Sequence, residues 1–397
     1  MADSDQEHLV NQLRDAHAIE VQALRQLERA AQAFDDGENP YEEHLEQSKE
    51  HEQKVRELVQ ARGHEPSPIE DKTLRGGAIG LRQIADVALD TPVKTAMNLY
   101  ALEHLEIATY GLLVELARAL EDEEVAQEAE KILKEEEAAA ENVAETFDRA
   151  VELLLERASE DGDEEASGDE GSEEGEGSES GESHLLLSHL RDAHALEEQS
   201  LALLRIGVEE VDQDEELERI YREHLEETEE HEQLVNDRIE GQEAKPSAVR
   251  DLHMGAATAG LRDVIAGPPD AQAKLAMNFF CVEHLEIASY ELLARLAKQC
   301  GDDETAQTAE KILEQERGVA QALREQFEHL ARLTVESDAS YDTGRGAETP
   351  EQADTSEEAE PSGEAETSEE AETSEQARTP EEAETQQQAE TQAEANV

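Results

Sequence analysis

The octapeptide EHLEIATY at residues 103–110 returns as EHLEIASY at residues 283–290, with Thr109 and Ser289 as the only difference. Each copy sets two glutamates three residues apart, and that spacing places both carboxylates on one face of a helix. Leu, Ile and Ala surround them, so the same helix also has a core-forming face. The octapeptide therefore indicates a helical core that contains a polar centre, present twice in one chain.

The octapeptide belongs to a repeat that extends over most of the chain. LRDAHAIE at 13–20 returns as LRDAHALE at 190–197, EEHLEQSKEHEQ at 42–53 as REHLEETEEHEQ at 222–233, and AEKIL at 129–133 as AEKIL at 309–313. The repeat predicts two homologous domains, at 1–158 and 184–336. An acidic linker at 159–183 and an acidic tail at 337–397 contain few apolar residues, and both are predicted to be disordered.

Each domain has the apolar periodicity of helices. In the first domain the pattern predicts helices at 4–33, 40–62, 92–120 and 122–157, with Pro40 and Pro92 in first-turn positions. The long connection between the second and third helices is predicted to hold one short helix near 81–87. One long crossover and two short connections are typical of the ferritin-like four-helix bundle, so the predicted fold class is all-α with two tandem bundles of that kind.

The charge balance excludes some partners. Asp and Glu number 102 against 33 Lys and Arg, which leaves no basic surface for nucleic acid or for an anionic membrane. Hydrophobic residues still make up 37% of the chain, enough for packed cores. Acidic helix faces with few lysines suggest a halophilic host, in which molar salt screens repulsion over roughly 3 Å. The alternative is an ordinary acidic protein with acidic tails.

The sequence predicts a cytoplasmic location. It has two cysteines, Cys281 and Cys300, on one predicted helix, where a rise of ~1.5 Å per residue keeps them too far apart for a disulfide. No apolar run reaches the ~18 residues of a membrane span, and the N-terminal sequence lacks the pattern of a signal peptide.

On each predicted helix, the residues at helical spacing that face the core form an inward stripe. These inward stripes are apolar at their ends and polar near their middles. Several buried carboxylates without a cation would each cost several kcal/mol, and the stripes contain no inward Lys or Arg, which leaves protonation or bound metal. Carboxylates and imidazoles from several helices are the ligand set of a pair of iron or manganese ions. The predicted metal ligands are Glu20, His44, His51, Glu103, Glu106 and Glu136 in the first domain, and Glu197, His224, Glu227, His231, Glu283, Glu286 and Glu316 in the second.

Four polar residues on these stripes have simpler interpretations. His17 and His194 are interpreted as partners of the ligands or as satisfied core histidines. Tyr110 and Tyr290 are interpreted as core residues whose hydroxyls reach the carboxylates.

Four further polar residues lie off the inward stripes. His104 and His284 are each one residue away from the stripe of their helix and are predicted to face outward or towards a neighbouring domain. Glu135 and Glu137 flank a predicted ligand in an EEE run and are predicted to be solvated.

At these residues the sequence resembles the YciE/YciF family of ferritin-like stress proteins. The resemblance rests on D-A-x-x-x-E at 15–20 and 192–197, H-L-E at 44–46 and 224–226, and the two octapeptides, and it covers about 7–155 and 186–333. It implies a two-metal site and a tendency to dimerise. The ligands that it implies are Glu20, His44, Glu106 and Glu136, then Glu197, His224, Glu227, Glu286 and Glu316, with Glu103 and Glu283 as close alternates.

One departure from that family bears on the sites. Its second-helix carboxylate is Gln47 in the first domain, whereas the second domain keeps Glu227. With one carboxylate fewer, the first site is expected to bind metal more weakly or to hold one ion, so the second domain is the better predicted site.

Two classes of function follow from the sequence. The first is a metal-binding stress protein with two Fe or Mn ions per intact site, acting in peroxide detoxification or in iron handling. The alternative is a non-enzymatic stress or structural scaffold whose bundles self-associate, as a homo-oligomer or by pairing within the chain. Neither a nucleophile with a base nor a phosphate-binding loop is evident, so catalysis stays an open question.

Overall fold

The computed structural model describes residues 3–30, 40–66, 92–166, 181–211, 214–247 and 271–345. These ranges contain ten helices and no strand. They are α1 (Asp3–Ala30), α2 (Glu42–Ala61), α3 (Pro92–Ala119), α4 (Glu123–Glu145), α5 (Phe147–Ala166), α6 (Gly181–Glu210), α7 (Glu215–Gly241), α8 (Ala271–Gln299), α9 (Asp303–Glu325) and α10 (Phe327–Arg345). The predicted short helix near 81–87 lies outside the described residues, as do much of the predicted linker and most of the predicted tail.

The helices form two bundles in sequence order. Helices α1 to α4 make the first bundle and α6 to α9 the second, and in each the first helix packs on the second and the third on the fourth. The prediction of an all-α fold with two tandem four-helix bundles is confirmed. None of the described helices combines the length and apolarity needed to span a membrane.

The fourth helix of each bundle differs from its prediction. A single helix was expected over 122–157, but α4 ends at Glu145 and α5 begins at Phe147. Thr146 lies between them, and its Oγ1 donates a hydrogen bond to the carbonyl of Val143 at 2.7 Å. The second bundle has the same break at Gln326, where α9 ends and α10 begins, so the break does not depend on the threonine hydroxyl.

The loops that join the third and fourth helices contain a left-handed residue. Glu121 has φ +57°, and the equivalent position in the second bundle is Gly301 at φ +75°. A side chain costs roughly 1 kcal/mol in this conformation, whereas glycine adopts it freely. The first loop therefore holds a strained residue where the second holds a relaxed one.

We expect Glu121→Gly to raise the free energy of unfolding by about 1 kcal/mol, because it removes this strain. Gly301→Ala is expected to lose a similar amount, and since no atom lies within 4 Å of the added Cβ, that loss reports the backbone alone. Urea unfolding in molar salt measures both. The matched control is Glu121→Ala, which keeps the strain. An equal gain from Glu121→Ala would mean that the side chain, and not the backbone, is the cause.

The two bundles share one hydrophobic core, which runs through the contact between α3 and α8. The C-terminal helix of each half also packs on the third helix of the other half, α5 on α8 and α10 on α3. A pair of equivalent ion pairs crosses between the halves, Lys94 to Asp192 at 3.6 Å and Lys274 to Asp15 at 3.3 Å. The halves therefore meet as two pseudo-equivalent subunits within one chain.

His104 and His284 lie at the centre of this contact. Their rings stack with centroids 3.6 Å apart and an interplanar angle of 17°. Each ring Nδ1 bonds a backbone carbonyl one turn back, that of Tyr100 or Phe280. Of the two placements expected for these histidines, the one towards a neighbouring domain is the one found.

Candidate metal centres

The centre of the first bundle is built from all four of its helices. Helix α1 contributes Glu20, α2 contributes His44 and His51, α3 contributes Glu103 and Glu106, and α4 contributes Glu136. All four carboxylates are completely buried. The helical spacing of the octapeptide therefore turns Glu103 and Glu106 inward together.

The ligand atoms of this centre form two groups that share Glu136. One group is His44, Glu103, Glu106 and Glu136, and the other is Glu20, His51 and Glu136; in each, the atoms lie within 4.8 Å of one another. His44 Nε2 lies 2.9 Å from Glu103 Oε2, and His51 Nδ1 lies 2.7 Å from Glu136 Oε1. Each of these groups could hold a metal ion, and Glu136 offers one carboxylate oxygen to each.

The second bundle repeats this arrangement. One group is His224, Glu283, Glu286 and Glu316, the other is Glu197, His231 and Glu316, and the carboxylates are again completely buried. His224 Nε2 lies 3.1 Å from Glu283 Oε2, and His231 Nδ1 lies 2.8 Å from Glu316 Oε1. The duplication has therefore kept both ligand groups in each half of the chain.

Buried polar atoms without partners test whether metal fits these centres. Neither carboxylate oxygen of Glu106 has a hydrogen-bond partner, and Glu20 Oε2 and Glu136 Oε2 have none. No lysine or arginine in the described part of the chain pairs with any of the central carboxylates. Orphaned buried carboxylate oxygens are costly, and divalent ions satisfy them together with neutral imidazoles. The residues present therefore fit bound metal.

The ionisation of the first centre follows from burial. Burial raises the pKa of Glu20 and Glu106 well above the ordinary range, and the charge of Glu136 adds to this in both cases. Burial also raises the pKa of Glu103, to about 7, against the opposing effect of His44. For His44 and His51, burial lowers the pKa, but Glu103 and Glu136 outweigh it and bring both to about 9.

The second centre has the same electrostatics. Burial raises the pKa of Glu197 to about 8, and it raises that of Glu286 well above the ordinary range. Burial opposes protonation of His224 and His231, yet their carboxylate neighbours raise both pKa values overall. Without metal, each centre therefore retains protons at neutral pH that a bound cation would displace.

Two tyrosines support the outer groups. The hydroxyl of Tyr110 donates to Glu20, and that of Tyr290 donates to Glu197. Both rings are fully buried. The prediction that these hydroxyls reach the carboxylates is confirmed. They orient the carboxylates that belong to the His51 and His231 groups.

Glu135 corrects one prediction. It was expected to be solvated, but its Oε2 lies 2.7 Å from His51 Nε2, and only 33% of its side chain is exposed. His51 thus connects buried Glu136 to a carboxylate at the surface. In the second bundle Gln315 takes this place, with its Oε1 3.3 Å from His231 Nε2. Glu135 could have been found from its position beside Glu136, opposite the second helix.

Glu227 lies beside the second centre and does not join either group. Its side chain is 39% exposed, and its Oε2 lies 3.6 Å from His224 Nδ1. Its equivalent, Gln47, is likewise half-buried. A direct role of Glu227 as a ligand stays a prediction.

The two first-helix histidines lie apart from the central carboxylates. His17 Nε2 lies 2.8 Å from Glu52 Oε1, and His194 Nε2 lies 3.0 Å from Glu232 Oε1. Glu198 adds a further ligand atom beside the second pair. These contacts pair each histidine with a second-helix carboxylate and leave it outside the central groups, and both interpretations of His17 and His194 stay predictions.

Comparison with known families follows the repeat. A family model described as a domain of unknown function, DUF892, matches residues 4–156 and again residues 182–336. The chain belongs to the DUF892 family. The two matches cover the stretches that carry the resemblance seen in the octapeptides, and each DUF892 repeat contains one buried cluster of His and Glu that can hold metal. The family description assigns no activity to either repeat.

Proposed function

We propose that each DUF892 repeat of this chain holds a pair of iron or manganese ions, and that the protein handles iron or reduces peroxide under stress. The observation that carries this proposal is the sharing of Glu136, and of Glu316, between two groups of buried ligand atoms. Carboxylates with one or two imidazoles suit iron and manganese better than softer metals, which favour thiolates. The acidic surface fits a cytoplasm at molar salt.

When bound, a pair of such ions supplies two electrons, one from each ion, which with two protons reduce one hydrogen peroxide to two waters. The chain supplies the remaining parts of this chemistry. Tyr110 fixes the position of Glu20. His51 contacts Glu136 on one side and part-exposed Glu135 on the other, so protons have a path from the surface to the centre. The apolar ends of the stripes keep bulk water away from the ligands.

The alternative function is a scaffold that self-associates through its bundles. The observation in its favour is the continuous core between α3 and α8, which already pairs two bundles within the chain. Metal or protons bound at the two centres would then contribute only to the stability of the fold. The two functions differ in whether bound metal reacts.

We expect Glu316→Ala to remove about half of the metal from protein purified without chelator, because Glu316 belongs to both groups of the second centre. The matched control is Glu46→Ala, whose side chain is 69% exposed and which is expected to leave metal content unchanged. Elemental analysis of both variants and of the unaltered protein measures this. Equal losses in the two variants would contradict the proposed ligand set.

Reactivity needs a second measurement. Ferrous iron is added to metal-free protein, hydrogen peroxide follows, and the visible spectrum is recorded. Ferric absorbance that depends on Glu136 and Glu316 supports the redox function. Bound metal that gives no spectral change would leave the scaffold function. Protein that retains no metal would rule out both iron handling and peroxide reduction.

A further inference from the structure

The first bundle has a cavity of about 1340 Å³ between α2 and α4. His44, Gln47 and Glu135 line it, so it reaches one candidate ligand of the first centre, His44. His44 is 7% exposed, its Nε2 lies 2.9 Å from Glu103 Oε2, and the side chain of Gln47 also interacts with its ring. The cavity therefore ends on a buried histidine that can hold a metal ion.

The corresponding region of the second bundle is built differently. Helices α2 and α7 end at equivalent residues, but α7 is 27 residues long and α2 is 20, so α7 has about two more turns at its N-terminus. Leu217 and Ile220 in these turns are buried. Asp214, which caps α7, contacts His329 at 2.8 Å, whereas the residue equivalent to His329 is Arg149, which lines the cavity of the first bundle.

The exposure of the histidines follows this difference. The side chain of His44 is 8% exposed and that of His224 is 1% exposed. His51 is 3% exposed and His231 is 0% exposed. Where the second bundle has the acidic Glu227, the first has the neutral amide of Gln47 on the cavity wall. The first centre is thus the more accessible of the two.

The charges around the cavity favour the entry of an uncharged small molecule. Its walls contain the bases Lys131, Lys134 and Arg149 beside acids such as Glu43 and Glu130. Elsewhere acids dominate, 102 against 33 bases in the whole chain. A route for divalent cations would be expected to be lined mainly by acids, whereas near-balanced walls neither attract cations nor select anions.

We propose that this cavity admits a small neutral oxidant of the hydrogen peroxide class to the first centre, and that the second centre is closed to it. This inference rests on the proposed function, because it assumes that both centres hold metal. The two halves then differ in role: the first reacts, and the second stores metal or stabilises the bundle.

Two full-length variants separate the centres. Glu316→Ala leaves the first centre intact, and Glu136→Ala leaves the second intact. Each is loaded with ferrous iron without oxygen and mixed in a stopped-flow instrument with nitric oxide, a neutral iron ligand of about the size of peroxide, while the absorbance of the iron complex is followed. Nitric oxide is expected to bind the first centre at least ten-fold faster than the second. Equal rates at both centres would overturn the inference.

A cavity-filling pair tests the route itself. Ala138 lines the cavity from an exposed position, and its equivalent in the second bundle, Gly318, has open space around an added Cβ. Added to Glu316→Ala, which keeps the first centre, Ala138→Trp is expected to slow nitric oxide binding at least ten-fold with iron content unchanged. Added to Glu136→Ala, which keeps the second centre, the matched Gly318→Trp is expected to change neither. Asn142→Trp, on the same wall, gives a second filling variant should Ala138→Trp fold poorly.

Each remaining outcome has one meaning. Nitric oxide binding that stays as fast with Ala138→Trp and with Asn142→Trp as without them overturns the proposed route. Slower iron uptake with an unchanged rate of nitric oxide binding overturns it in favour of a metal entry route. Loss of iron from both single-centre variants contradicts the proposed function itself, and so is distinguished from failure of the cavity inference.

Discussion

Replacing Glu106 by leucine is expected to make the metal-free protein more stable and to abolish metal binding in the first half. Glu106 is completely buried, and neither of its carboxylate oxygens has a partner. Exchanging a buried ionisable group for a well-packed apolar one is often stabilising by 1–4 kcal/mol, so about 2 kcal/mol is expected. The loaded protein should lose more than this, since saturating metal stabilises by roughly 4 kcal/mol at a thousand times Kd.

The second half supplies the matched comparison. Glu286 is equally buried, but Ser200 Oγ donates to its Oε2 at 3.3 Å. Glu286→Leu would leave that hydroxyl without its partner, so the gain in metal-free stability should be smaller than for Glu106→Leu. Exposed Glu46→Leu should change stability by less than about 0.5 kcal/mol. Urea unfolding with and without chelator measures all three.

If Glu106→Leu destabilises the metal-free protein, the carboxylate contributes to folding by itself and the metal argument fails. If it stabilises as expected, this position has been kept acidic at a cost to the fold, which is typical of functional sites.

The helical period and the internal repeat were sufficient to predict the two bundles. Apolar residues every three or four positions define the inward faces, and the second copy repeats them. The break at Thr146 could not be predicted in the same way, because the apolar period continues through Phe147 and the break is confined to one residue. The packing of α5 on α8 and of α10 on α3 was also missed, since it depends on contacts between the halves and not on local pattern.

The central acids were predictable because a charge on an inward stripe is an exception to the pattern. Glu20, Glu103 and Glu136 stand where apolar residues stand one turn away, and all three are buried. Glu135 was missed because one helical step of about 100° places it off the stripe, although His51 reaches it from α2. Glu227 lies three steps from His224, at the edge of the inward face, where its side chain is 39% exposed, and its role as a ligand stays a prediction.

The cavity beside the first centre could not be predicted from the sequence positions of the ligand residues. Both bundles have the same His and Glu pattern, and the difference lies in where the second helix begins, Glu42 in one and Glu215 in the other. The sequence ranked the second centre higher because it keeps Glu227. Metal affinity and access are separate properties, and the structure favours the first centre for access.

The metal-free protein is expected to lose stability as the pH rises from 5 to 9, whereas the metal-loaded protein should hold or gain it. Burial raises the pKa of Glu103 from 4.5 to about 7 and that of Glu197 to about 8. Above pH 4.5 the unfolded chain releases these protons while the folded chain retains them, so unfolding becomes more favourable until the folded carboxyls ionise.

The histidines act in the same direction over a higher range. The pKa of His44 and of His51 is raised from 6.5 to about 9, so the folded protein binds these protons more tightly than the unfolded chain. Their contribution to stability is complete below pH 6.5 and is lost as the pH rises through 9. Carboxyls and imidazoles together should therefore produce a continuous fall of a few kcal/mol across the window.

Bound metal should reverse this slope, because ligands must lose their protons to bind it and affinity therefore increases with pH. Thermal or urea unfolding at constant molar salt, at five pH values with chelator and with excess Mn²⁺, measures the two curves. The double variant Glu106→Leu with Glu286→Leu should flatten the chelator curve, since it removes two of the carboxyls that carry raised pKa values. A metal-free curve that rises with pH would mean that the buried carboxyls are already ionised and compensated by something other than protons or metal.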